Sequence, residues 1–391
     1  MSRTSRLAVL LAFASLGCRP APGSAPSPLE SGAFVVTLGT DTLAVEQFSR
    51  VGNRIEGQLV SRTPRTVVQR YVVWLDPADR PTRFEHQARL ADGGMVPNAA
   101  RSTTITFATD TVTALIQRDT LVTQRAAARD AFPFLNTAVS LYAPAIRALV
   151  TSGRDSASFV TYNANGQRGA LPIARKGANR FWIYVFGSPQ DVTTDDRGNV
   201  LAVDATRTTL KFNARRSTVD LPALVAAFAQ RERESRPGPL SPRDTVHATV
   251  GGAQIWIDYS RPLARGRRVF GPTGVLGDTI WRTGANAATQ FRTSVPLVVA
   301  GQTIPAGTYT LWTVAVPGRY QLVFNKQTGQ WGTVYDPAQD LIRVPLQTSR
   351  LAQPLDRFTI SVDPAAANAG VLRLRWDDTE LALPFSAPAA E

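Results

Sequence analysis

The 391-residue sequence contains one cysteine and two histidines. With Cys18 alone, no disulfide can form within the chain and no pair of thiolates exists for a zinc or iron–sulfur site. A histidine-based metal centre would need both His86 and His247, plus carboxylates from distant segments. No metal and no cofactor are therefore expected. A Ser-His-Asp triad would have to use one of the same two rings, and neither lies near a Gly-x-Ser-x-Gly elbow. No glycine-rich phosphate loop opens a helix. These absences count against the common hydrolases and leave other enzymes open. Lysine occurs only at Lys176, Lys211 and Lys326, so the net charge of +13 is carried almost wholly by arginine. The arginines are scattered and never form the run of five that marks a nucleic-acid arm, so no nucleic-acid partner is expected. Arginine in place of lysine is what a GC-rich genome produces without selection; an anionic partner is the other reading of the charge.

The start of the chain is more specific. Arg3 and Arg6 precede the apolar run Leu7 to Leu16, followed by Gly17 and Cys18. That is a charged n-region, a short h-region and a small residue before a cut. The run is too short for a membrane-spanning helix, and no other segment is apolar for the ~20 residues one needs. The position of Cys18 resembles the lipobox of bacterial lipoproteins, in which the cysteine becomes the acylated first residue. Ser15-Leu16-Gly17 departs from the usual leucine three residues before that cysteine. The alternative is a secretory signal cut after Gly17 or near Ala25. The expectation is a signal segment over 1–18 and an exported protein, periplasmic or on the cell surface. Lipid on Cys18 would tether it to a membrane. Residues 19–32, rich in Pro, Ala and Ser, read as a flexible spacer.

A composition of 43% hydrophobic and 19% charged residues suits an ordinary globular protein, and the length favours two domains. Short alternating runs such as Phe34–Leu38, Arg54–Val60, Val67–Leu75 and Thr103–Ala108 predict half-buried strands. Later runs at Arg180–Phe186, Val200–Thr206 and Thr209–Ala214 do the same. Turns are marked by Asp92-Gly93-Gly94 and Asn165-Gly166. Val139, Tyr142, Ile146 and Leu149 have helical spacing within 136–151, where Pro144 predicts a kink or two short helices. A second helix is predicted from Leu221 to about Ser235, with Asp220 as N-cap and Pro222 in its first turn. The prediction for 33–235 is a curved antiparallel sheet with one or two helices. In plan it loosely resembles the half-barrel of bacterial lipoprotein carriers.

Residues 236–243, Arg-Pro-Gly-Pro-Leu-Ser-Pro and the following Arg243, read as a linker. Beyond it, over 244–388, short strands with closely spaced turns predict a β-sandwich or jelly roll. Val298 to Ile304 reads as a hairpin with Ala300-Gly301 at its tip. Asp377-Asp378 reads as the turn joining the last two strands.

This region carries the elements Tyr259-Ser-Arg-Pro, Gly266-Arg-Arg-Val-Phe-Gly, Trp281-Arg-Thr-Gly-Ala-Asn, Ala306-Gly-Thr-Tyr and Phe324-Asn-Lys followed by Trp331-Gly. In order and spacing they resemble the domain of unknown function 2911 family of exported bacterial proteins. The resemblance covers a little over a third of the chain and implies fold and compartment, not a reaction. Members usually carry glutamate after the Gly-Ala-Asn element; this chain has Ala287, which removes a carboxylate role there.

The candidate site residues are Tyr259, Arg261, Arg267, Trp281, Arg282 and Asn286. Arginine presents a planar fork to carboxylate or phosphate, and aromatic rings stack on sugars or guanidinium groups. These residues either line a pocket for an anionic or glycan ligand, or tie turns together by bonding carbonyls and nearby acids such as Asp258 and Asp278. The leading expectation is a non-catalytic, lipid-anchored envelope protein that binds a ligand or partner. The alternative is a hydrolase or isomerase of cell-wall glycans or peptides, using Arg282, Asn286 and a carboxylate such as Asp258. A third is an assembly role through sheet edges.

Overall fold

Alternation of apolar and polar side chains builds strands along nearly the whole chain, and the computed structural model is mainly β. It describes residues 30–62, 64–206, 211–234, 238–271, 274–277 and 280–389. The expected signal segment, Cys18 and most of the expected spacer lie outside the described residues, as does Asp278. The first described strand, Glu30–Leu38, begins inside the stretch read as spacer, because Glu30 already pairs with Arg50.

Among the described residues, two sheets account for the strands. The first has fifteen, all within 30–217. Its first strand, Glu30–Leu38, lies in the middle, between Asp41–Val51 and the last strand Asn213–Ser217. From there one arm runs outward to Leu121–Ala127 and the other back to Ala131–Phe134. Pairing is antiparallel except where Ala131–Phe134 meets Ser156–Asn163. The sheet curls until its arms touch: Thr103 Oγ1 donates to Ala164 O at 2.6 Å, and Arg118 reaches Asn165 Oδ1 at 3.4 Å. Of the predicted strand Thr209–Ala214, Thr209 and Leu210 lie outside the described residues, and Asn213 and Ala214 open the observed strand Asn213–Ser217.

The concave face is filled rather than open. A 3-10 turn, Val139–Leu141, leads into helix α1, Tyr142–Thr151. Pro144 sits in the first turn of α1, where its missing N–H has no intrahelical acceptor to lose. Seven of the ten α1 residues are buried, including Tyr142, Ile146 and Leu149. Apolar residues cover most of the helix and the sheet packs around them, while Arg147 leaves the core to meet Asp79 at 2.6 Å. Helix α2, Leu221–Glu234, lies on the opposite face, with Leu221 and Phe228 against Val45 and Val60. Asp220 caps it, its Oδ1 accepting from Ala223 N at 3.0 Å.

One carboxylate is sealed in the first core. Glu46 points inward between Ala44 and Phe48 and is 0% exposed. It accepts from the Tyr71 hydroxyl, from Ser140 Oγ at 2.8 Å and from Ser140 N at 3.0 Å. Burial raises its pKa while these donors oppose the rise. Burial and the Glu46 charge push the Tyr71 hydroxyl well up.

The second sheet has nine strands, all within 243–386, and folds into a sandwich-like arrangement. Its long hairpin pairs Asp340–Ala366 with Ala369–Ser386. Asp377-Asp378 does not end a strand: Asp377 takes φ +53°, a local irregularity within Ala369–Ser386. Ala300 and Gly301 form the predicted hairpin tip, both with positive φ. Trp312 and Trp376 are core residues, whereas Trp256 is half-buried between His247 and Arg292.

The two sheets meet at a seam centred on Arg265. Its main-chain oxygen accepts from Thr40 N at 3.0 Å, and its guanidinium pairs with Asp41. Gly39, at φ +61°, faces that oxygen so closely that a Cβ would lie 2.2 Å from it. Only glycine meets both demands.

Candidate functional site

The sequence elements of the second sheet are drawn into two clusters. The first surrounds the turn Gly266-Arg267-Arg268. Arg267 folds back on its own turn, Nε donating to Ala264 O at 2.7 Å and Nη2 to Leu263 O at 2.8 Å. Burial, followed by the nearby Arg265 charge, lowers its pKa. Arg268 is exposed and gives only Nε to Phe270 O at 3.2 Å. Among the described residues it has no carboxylate partner. Two adjacent arginines thus do different work: the first builds the turn and the second projects from it.

Beside this turn lies an open groove of about 600 Å³. Arg267 and Arg268 form one wall; Arg350, Asp356, Asp377 and Asp378 from the long hairpin form the other. The groove is held by main-chain donors. Asp356 Oδ1 accepts from Arg265 N at 2.7 Å, and Asp377 Oδ2 from Val269 N at 3.0 Å. Arg350 is 84% exposed and lies 3.5 Å from Asp378. The groove therefore brings two exposed arginine heads, Arg268 and Arg350, together with carboxylates of which Asp356 and Asp377 are held by main-chain donors.

The second cluster joins Trp281–Asn286 to Trp331-Gly332. Trp281 points into the sandwich core, stacked on Trp376 at 5.6 Å and edge-on to Phe358 at 4.9 Å. Its Nε1 donates to Gly284 O at 2.8 Å. Arg282 points to the other side and donates Nη1 to Gly332 O at 2.9 Å. Gly332 packs over the arginine stem, leaving no space for a Cβ, which would lie 1.8 Å from Arg282 Cδ. Burial lowers the Arg282 pKa, and its Nε is enclosed without a partner. Asn286 takes φ +60° and donates to Ser260 Oγ at 3.4 Å. Trp331 itself is 56% exposed.

The remaining candidates are internal. Tyr259 is 3% exposed and its hydroxyl accepts from Ile360 N at 3.0 Å. Arg261 spends its fork on Phe358 O, Asp244 Oδ2 and Thr359 Oγ1, at 2.7–3.0 Å. Of the six candidates, only Arg267 lines the groove; Tyr259, Arg261, Trp281, Arg282 and Asn286 tie or fill the sandwich around it. The carboxylate proposed from sequence for an enzyme, Asp258, is gripped by both Nε and Nη2 of Arg243 and is bonded to neither Arg282 nor Asn286. The groove's Asp356 and Arg350 escaped sequence reasoning. They lie some eighty to ninety positions from Arg268, and nothing local marks them.

These elements coincide with a known family. Residues 241–385 match Protein of unknown function (DUF2911). The groove and the second cluster both fall inside the DUF2911 region. No curated protein matches the chain. Among solved structures, a DUF1089 family protein from Pseudomonas aeruginosa is 13% identical with a TM-score of 0.32, over 42% of this chain and 90% of that one. A beta-barrel-like protein of domain of unknown function DUF1849 from Brucella abortus is 10% identical with a TM-score of 0.34, over 48% of this chain and 94% of the other.

Proposed function

We propose that this is an exported, lipid-anchored envelope protein whose DUF2911 region binds a small polar ligand carrying an anionic group, without turning it over. Residues 33–235 form one unit, 244–388 the ligand-binding unit, and 236–243 the linker. The observation that carries the reading is the groove at Arg268. A charged recess of about 600 Å³ is within the size range of small-molecule sites, and its arginine wall is fixed by Arg267. Arg268 and Arg350 would grip the anionic group, and Asp377 and Asp378 would accept from ligand hydroxyl or amino groups. A glycan acid or a short peptide has that chemistry. The unlinked positions of Asp258, Arg282 and Asn286 favour binding over the hydrolase alternative, which needs a carboxylate and a donor converging on one atom.

Calorimetric titration of the full-length protein with uronic acids, sugar phosphates and dipeptides tests this. At least one class should bind. Changing Arg268→Ala together with Arg350→Ala should weaken it tenfold or more, about 1.4 kcal/mol, with the melting temperature nearly unchanged. Undiminished binding in that double variant would remove the groove from consideration, and turnover of the ligand would replace binding by catalysis. Attachment is separately testable. Cys18→Ser should move the protein from the membrane fraction to the soluble fraction, and continued membrane association would rule out acylation at that residue.

A further inference from the structure

The seam between the sheets holds a second recess, of about 300 Å³, built from three parts of the chain. Leu38 and Leu43 come from the first sheet, Pro239 and Leu240 from 238–242, and Leu263 from the sandwich. Together they give it an apolar floor. Four charged side chains border that floor: Arg62, Arg265, Arg357 and Asp41. Asp41 is already matched by Arg265. Arg62 lies over the Phe228 ring at 4.5 Å and reaches only a main-chain oxygen, Thr42 O, at 3.5 Å. Among the described residues neither Arg62 nor Arg357 has a carboxylate partner, so the rim carries two uncompensated positive charges around an apolar hollow. Asp41, Gly238, Pro239 and Arg357 are exposed, which gives the hollow a mouth. Junctions between domains are favoured places for small-molecule sites, and apolar surface with few oriented polar groups is their usual lining.

We propose that this recess binds a small amphiphilic anion, a compact hydrocarbon body with a single carboxylate. The body would cover Leu38, Leu43, Leu240 and Leu263, and the carboxylate would lie between Arg62 and Arg357. Both arginines can present two N–H groups to one carboxylate. Because the floor belongs to both sheets and to the segment between them, the ligand would stiffen the seam and couple the two units. This site is separate from the groove at Arg268.

The test uses the full-length protein and decanoate as probe, with decanol and acetate as controls. Decanoate should raise the melting temperature saturably, decanol should do so more weakly, and acetate not at all. Changing Arg62→Gln together with Arg357→Gln should weaken decanoate binding tenfold or more. Leu240→Trp, which fills the hollow from an exposed segment, should abolish binding while leaving unliganded unfolding unchanged. The Arg268→Ala, Arg350→Ala variant should bind decanoate normally, which separates this site from the groove. Decanoate binding that is absent, equal to that of decanol, or indifferent to both seam changes would overturn the assignment.

Discussion

Trp281→Ala is expected to destabilise the second sheet by about 3–5 kcal/mol, the usual loss for removing a large aromatic side chain from a packed core. Trp281 is 8% exposed and shares its core with Trp376 and Phe358. Truncation would open a void beside the Trp376 and Phe358 rings and leave the Gly284 carbonyl without its indole donor. Trp331→Ala is the matched control, since that ring is 56% exposed and its loss leaves no void. Denaturant titrations followed by circular dichroism would compare the two variants. Equal midpoints would contradict the assignment of Trp281 to the core and return it to a ligand-facing role.

The second large effect concerns Glu46. Replacing it with alanine would leave the Ser140 amide without an acceptor and reduce the Tyr71 and Ser140 hydroxyls to the one bond between them, so that one of the two O–H groups also loses its acceptor. Each buried unpartnered group costs about 1–3 kcal/mol, so a loss of at least about 2 kcal/mol is expected. The pH dependence has a definite sign. Because the folded-state pKa is raised above 4.5, the Glu46 contribution is fully present below pH 4.5 and is lost as pH rises through the folded value. His86 works in the opposite sense. Burial lowers its pKa from 6.5 to about 4, so its contribution is present above pH 6.5 and is lost as pH falls towards 4. With rising pH the two contributions therefore run against each other, the Glu46 contribution falling from pH 4.5 upward and the His86 contribution growing between about 4 and 6.5. In stability measured from pH 4 to 9, Glu46→Gln should remove the fall and His86→Phe the rise. A pH profile unchanged by Glu46→Gln would show that Glu46 is not held above its ordinary pKa.

Much of the architecture was legible in the sequence because the residues that decide it act locally. Asp220 and Pro222 mark the start of α2, and Ala300-Gly301 marks a hairpin tip. The apolar positions of α1 keep helical spacing across Pro144. Strands were missed where inward-facing polar residues broke the alternation. Asp41–Val51 hides Glu46 in the core, Pro81–Leu90 hides His86, and Arg168–Gly177 is interrupted by Pro172. Asp377-Asp378 has turn chemistry and does adopt a turn-like φ, yet the strand continues through it because Asp377 is anchored by Val269 N. The candidate site was harder to read for a different reason. Arg261, Arg267, Arg268 and Arg282 are chemically alike, and only the distances to carbonyl groups separate those that fasten turns from the one that faces solvent. Those distances are set by segments far away in the chain.

The position of the first strand has a consequence for how the molecule assembles. Glu30–Leu38 is flanked by Asp41–Val51, which is next to it in sequence, and by Asn213–Ser217, which is made some 180 residues later. As the polypeptide emerges, one arm of the sheet can zip up from neighbour to neighbour, while one side of the opening strand stays bare until the far partner arrives. Closing so long a loop is entropically demanding, and the waiting edge is open to wrong pairing. Folding of the amino-terminal half should therefore finish late, once Asn213–Ser217 is in place beside Glu30–Leu38.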